Sequence, residues 1–156
     1  MNHYLTTEQV ASPTQGTAQR GMTRGERNCN PLNIRRSEGT RWLGQCTKLW
    51  DREFVQFQSM LFGFRAAFRI LRTYFKVQGL DTLHDIIYRW APPEDGNNTE
   101  SYVDTVSRMS GVSPRRHLTF EDEDELVAIV AAMALVESRM RAVDTELLHR
   151  AYALAK

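Results

Sequence analysis

Cysteine is scarce in this chain, with only Cys29 and Cys46 present, and the four histidines are scattered. Two cysteines without a CxxC pair are too few for a disulfide scaffold and, with no histidine cluster beside them, do not make a zinc set. Both therefore read as free thiols, with a single bridge between them as the lesser alternative. His84, His117 and His149 stand singly and read as surface or packing residues. Gly-rich phosphate loops and a Ser-His-Asp arrangement are missing, and no metal or organic cofactor is implied. A surplus of either charge is missing as well. Twenty basic side chains face nineteen acidic ones, for a net charge of +1, which leaves no overall field to hold a polyanion such as DNA. Local arginine groups remain, Arg35, Arg36 and Arg41 in one stretch and Arg65, Arg69 and Arg72 in another, but the second is interspersed as on a solvated helix face. Nucleic acid is therefore the least favoured partner. The longest uncharged apolar run, residues 126 to 136, is about half the length needed to cross a bilayer, so no stable membrane insertion is expected. Residues 1 to 23 lack an apolar segment and offer only His3 and Arg20 as potential cations, unlike a Sec signal peptide. Synthesis in the cytoplasm is expected, and export, if it happens, needs another route.

What is present fits one ordinary domain. The chain has 156 residues, 42% of them hydrophobic and 25% charged, enough to bury roughly two thirds of the surface its unfolded form exposes. Residues 1 to 23 are rich in Thr, Gln, Ser and Gly without an apolar period and read as a flexible arm. A single folded domain is expected over 24 to 156. From Gly25 to Gly44, Asn, Pro, Gly and Arg punctuated by Leu32, Ile34 and Trp42 predict loops with at most a short strand. Phe54-Val55-Gln56-Phe57 suggests a second.

Helices follow. Ser59 caps a segment with Leu61, Phe64, Phe68, Leu71 and Phe75 at spacings of three and four, closed by Gly79. Asp81 starts another, with Leu83, Ile86, Ile87 and Trp90 on one face before Pro92-Pro93. Asn98 or Thr99 opens a third that ends at Gly111. The acidic run Glu121 to Glu125 precedes a long Ala-rich helix, and Asp144 begins a last one through Leu154. The fold class is α+β, dominated by α, with five helices and a two-stranded β element towards the N-terminal side.

The most informative residue for chemistry is Glu137. It follows Leu126 by eleven positions, Val130 by seven and Met133 by four, so each of them points within about 40° of it on a helix. A carboxyl on a core-facing stripe has its charged form disfavoured and its pKa raised, as a general acid requires. The plainer alternative is a helix-end Glu that pairs with Arg139 or Arg141 or turns to water. Glu26, between Arg24 and Arg27, suits a base, a stabiliser or a structural ion pair better than an acid. Asn28, Asn30 and Asn33 offer side-chain amides for sugar hydroxyls and acetamido groups, or for rigid turns. Among the aromatics, Trp90 at helical spacing reads as core, whereas Trp42 beside Gly44 is the better candidate for stacking on a sugar. Asp51 either caps a turn or supplies a second acid. Arg35, Gln45 and Tyr102 complete the candidate binding set.

The segment Arg24-Gly25-Glu26-Arg27-Asn28-Cys29-Asn30-Pro31-Leu32-Asn33-Ile34-Arg35 resembles the RGxRNxNPxNIR signature of a family of phage and prophage proteins often labelled virion structural proteins. The Leu32 variant resembles the form seen in Bacteroidetes. The resemblance continues through Trp42-Leu43-Gly44-Gln45, Phe54 to Phe57, Gly63 to Ala67, Arg89 to Pro93 and Asn98 to Tyr102. Members often carry Ile at the position of Glu26, and many read Glu-Asn-Gly where this chain has Glu137-Ser138-Arg139. The order of Asn30 to Ile34, Phe54 to Phe57 and the Gly63 helix is also similar to the elements that follow the catalytic helix in bacterial glucosaminidases, whose acid lies on a helix ending in a Glu-Ser-type sequence. Here Val136-Glu137-Ser138 ends a helix far downstream of the loop. A circularly permuted, lysozyme-like domain would bring that helix end back to the loop. The resemblance implies cleavage of peptidoglycan glycan strands by a muramidase or lytic transglycosylase, with Glu137 as general acid and Glu26 or Asp51 assisting. Asn30, Asn33, Arg35, Trp42, Gln45 and Tyr102 would position the sugars, and phage or secretion-system proteins would be further partners. The rival reading is a phage or mobile-element structural protein that binds glycan or a protein without cleaving.

Overall fold

The computed structural model describes Tyr4–Thr6 and residues 21–156. Most of the segment expected to be a flexible arm lies outside the described residues. The part within them includes strand β1 (Tyr4–Thr6), which pairs antiparallel with β2 (Ala142–Asp144), Tyr4 opposite Asp144 and Thr6 opposite Ala142. Between the strands run α1 (Arg24–Arg27), α2 (Met60–Lys76), α3 (Leu83–Trp90), α4 (Thr99–Ser110) and α5 (Glu123–Ser138); α6 (Thr145–Ala155) follows β2. The domain is α+β and predominantly helical.

Four of the five expected helices begin within two residues of the caps read from sequence. Asn98 caps α4 through its side chain, Asp144 caps α6, and Ser59 precedes α2. Thr82 rather than Asp81 caps α3, because its hydroxyl accepts the Asp85 N–H. The four-residue α1 is too short to show any apolar period. The expected strand pair in the Asn-rich region is reduced to two isolated antiparallel bridges, Arg35 with Phe54 and Gln45 with Phe57. Cys29, Asn33, Gly39 and Gly44 all have positive φ, and each turns the chain out of the extended conformation that a ladder needs.

At the centre stands α5. Leu126, Val127 and every residue from Ile129 to Leu135 are buried, so the helix is apolar around its whole circumference rather than along one stripe. Its alanines let α4 and α6 approach closely, and α2 packs on α6. Phe68 and Tyr152 meet edge to face across that junction. Arg65 and Arg69 donate to the Leu154 and Ala155 carbonyls at 3.2 and 3.1 Å. They cap carbonyls of the last turn of α6, so these two of the α2 arginines are joined to the fold.

Gly63 fixes how α2 meets the Asn-rich loop, because a Cβ there would lie 2.0 Å from the Cys29 carbonyl oxygen and 2.8 Å from the Pro31 ring. Backbone cannot yield as a flexible side chain does. Gly63→Ala is expected to destabilise the domain by about 2 kcal/mol or more in urea unfolding.

Candidate functional site

The Asn-rich loop is built around side chains that replace backbone pairing. Asn30 is fully buried. Its Nδ2 donates to the Ile34 and Val55 carbonyls at 2.9 and 2.8 Å, and its Oδ1 accepts the Ile34 N–H at 2.9 Å. Asp51 is buried too and gathers five donors. Arg24 Nε and Nη2 approach at 2.6 and 2.7 Å, Asn28 Nδ2 at 2.9 Å, and the N–H groups of Glu53 and Phe54 at 2.9 and 3.0 Å. The Arg24 guanidinium and these hydrogen bonds hold the Asp51 carboxyl well below the ordinary carboxylate range. Asn30 and Asp51, expected to meet substrate, are thus committed to the loop's own frame.

The loop is pinned to the end of α5. Ser138 Oγ donates to the Pro31 carbonyl at 2.5 Å, and Asn33 Nδ2 donates to the Glu137 carbonyl at 3.0 Å. Gly25 makes this approach possible, since a Cβ at that position would lie 1.9 Å from Ser138 Oγ. The helix end and the loop, more than a hundred residues apart in sequence, therefore share one site.

Glu137 projects from this junction into a cavity of about 370 Å³ lined by Asn33, Arg35, Phe54, Ile70, Tyr74, Trp90, Asp95 and Asn97, among others. Its Oε1 accepts the Tyr102 hydroxyl at 3.0 Å, and Trp90 lines the cavity beside it and favours the charged carboxylate. Burial raises the Glu137 pKa above the ordinary value, opposed by the Tyr102 hydrogen bond, by Trp90 and by the positive charge of Arg35. Burial and the neighbouring Glu137 push Tyr102 well up, so its phenol keeps its proton. Tyr102→Phe removes a donor that favours the ionised carboxylate. The Glu137 pKa is expected to rise further, measurable by NMR titration of the side-chain carboxyl carbon; an unchanged or lower value would refute the assigned hydrogen bond.

Of the candidate residues, Glu137, Asn33, Arg35 and Tyr102 come together. Tyr102 meets the carboxyl itself. Arg35 is exposed at the rim, pairs with Glu53 at 2.6 Å and lies over the Phe54 ring. Glu26 lies elsewhere: its carboxylate accepts the Thr23 N–H at 2.6 Å and completes a capping box on α1. Trp42 and Gln45 are also outside the lining, with Gln45 Oε1 accepting the Trp42 N–H at 3.0 Å. Trp90, read as core from its helical spacing, lines the cavity instead. Asp95 and Asn97 belong to the turn after Pro92-Pro93 and were not singled out, since an exposed turn with a carboxyl and an amide carries no distinctive spacing. Cys29 and Cys46 are free thiols.

A predominantly helical α+β domain with a half-buried carboxyl in a cleft between an Asn-rich loop and the end of its central helix is the class these features define. No family model matches the chain. It is 38% identical over 117 residues to Protein P5 of Pseudoalteromonas phage PM2, an overlap of 74% of this chain and 71% of that protein. The chain belongs to the family of that phage protein.

Proposed function

We propose that the chain cleaves peptidoglycan glycan strands, as a lytic transglycosylase in preference to a muramidase, with Glu137 as the acid and then the base. The observation that carries this reading is the half-buried Glu137 carboxyl, raised in pKa by burial and held by Tyr102 beside Trp90 inside an open cleft. Tyr102 occupies an acceptor site on the carboxyl as a donor, which leaves the carboxyl's own proton for the cleft. That proton passes to the leaving glycosidic oxygen as the bond from the anomeric carbon breaks. The resulting carboxylate then takes the proton of the sugar's own 6-hydroxyl, whose oxygen closes on the anomeric carbon, and the acid is restored. One carboxyl suffices for both steps.

The lining suits a polar glycan. Tyr74 and Trp90 offer aromatic faces, Asn33, Asn97 and Arg35 offer polar groups, and the phage relative supports delivery with a virion. Asn33 lines the cleft and ties its wall to the Glu137 carbonyl at 3.0 Å. The test is mass spectrometry of fragments released from peptidoglycan by the purified protein. Anhydro-muropeptides are expected. Reducing ends would make it a hydrolase, with Asp95 as the candidate to activate water. No release where a control lysozyme releases fragments would leave a phage structural protein that binds without cleaving.

A further inference from the structure

A second feature of the surface lies outside the cleft. Most large apolar side chains are buried, yet Leu43, Leu49 and Trp50 are 55%, 42% and 55% exposed within a single loop, and Met22 beside it is 61% exposed. This is not a slack segment. The Trp50 and Asp51 N–H groups both donate to Gln56 Oε1 at 2.8 and 3.0 Å, Cys46 N–H to the Gln56 carbonyl at 2.8 Å, and Gln58 N–H to the Gly44 carbonyl at 2.8 Å. Gly44, at φ +75, packs so tightly on Phe62 that a Cβ there would lie 2.2 Å from the ring. The Arg27 guanidinium lies 5.5 Å from the centre of the Trp50 ring and donates to the Met22 carbonyl at 2.7 Å, joining Met22 to the same patch. Several of the loop's backbone groups are paired and Trp42 packs against the core, while Leu43, Leu49 and Trp50 stay exposed.

Charge distinguishes what this patch fits. From Thr40 to Trp50 the chain carries Arg41 and Lys48 and no carboxylate. Arg27 and Arg52 flank the patch, both exposed. Of the nearby carboxylates, Asp51 is buried on Arg24, Glu53 pairs with Arg24 and Arg35, and Glu26 caps α1, which leaves Glu38, exposed two residues before Thr40, as the one facing solvent unpaired among the described residues. Residues 7 to 20 contain Val10 as their one large aliphatic side chain and no aromatic, a poor match for a tryptophan and two leucines. A loop that exposes a tryptophan and two leucines and carries arginine and lysine has the composition that settles at the boundary between acyl chains and anionic headgroups. We infer that the Thr40 to Trp50 loop, with Met22 and Arg27, is a peripheral docking surface for anionic lipid bilayers.

Co-sedimentation of the full chain with phosphatidylglycerol-containing vesicles, against vesicles of phosphatidylcholine alone, tests it. Binding to the anionic vesicles is expected, weakening with added salt, with a blue shift of tryptophan emission. The double variant Leu49→Ser/Trp50→Ser is expected to lose about tenfold or more in affinity, and so is Arg41→Glu/Lys48→Glu. Both sets are solvent-facing, and unchanged far-UV circular dichroism would verify their folding. No binding by the parent, or equal binding by folded variants, overturns the inference. So does patch-dependent association with a protein in the absence of vesicle binding. Neither outcome bears on the cleft, whose test is fragment release from peptidoglycan in the absence of vesicles.

Discussion

Glu137→Gln is expected to lower fragment release from peptidoglycan by about a hundredfold or more, the usual scale for losing a positioned general acid. The substitution keeps shape and retains an oxygen to accept the Tyr102 hydroxyl, so the loss would report the proton and not a collapsed cleft. Stability should move the other way. Burial gives the folded state the higher carboxyl pKa, so the folded protein binds that proton more tightly than the unfolded chain does. Stability from this group therefore falls as pH rises from the ordinary carboxyl range through the folded-state value, and stays lower above it. Glutamine has no such dependence. The variant should match the parent below the ordinary carboxyl range and be the more stable of the two at neutral pH, as thermal unfolding across pH would record. Parent activity should decline as pH rises through the same folded-state value. A variant that retains full cleavage would remove Glu137 from the chemistry.

Asp51→Ala should have the largest effect on stability, about 3 kcal/mol in urea unfolding. It strands the buried Asn28 amide and the Glu53 and Phe54 N–H groups, each costing about 1 kcal/mol or more when left unpaired. Arg24 contributes less to that sum, because its side chain is 44% exposed and regains water. The pH dependence is opposite in sign to that of Glu137. With its folded-state pKa lowered, Asp51 supplies stability that is complete above the ordinary carboxylate value and is lost as pH falls below it. A loss under about 1 kcal/mol would show that the loop does not depend on this carboxylate.

The helices were legible because their signals are local. Apolar residues at three and four, with Asn98 and Asp144 as caps, determine α4 and α6 whatever surrounds them. Glu137 was legible as a carboxyl at a helix end among apolar neighbours, although α5 turned out apolar on every side. Partnerships across the chain were hidden. Nothing near Asp51 in sequence announces Arg24 or Asn28, and nothing near Asn30 announces Val55. Polar residues suited to sugars are equally suited to replacing strand pairing in a left-handed loop. Trp90 fell on the apolar period of α3 and so read as core, yet it sits where that helix stops against Ala91 and Pro92, with one side open. The β1 and β2 pairing joins short segments near opposite ends of the chain, each too brief to carry a period.

The contacts that close the cleft, Asn33 to Glu137 and Ser138 to Pro31, span 104 and 107 residues. During synthesis the Asn-rich loop emerges early and waits, and the cleft has no floor until α5 has been made and has packed on α4 and α6. A nascent or C-terminally truncated chain carries every loop residue and no site. Assembly of the cleft is thereby coupled to synthesis of α5 and the helices that hold it, a built-in delay between making the loop and any action on a ligand.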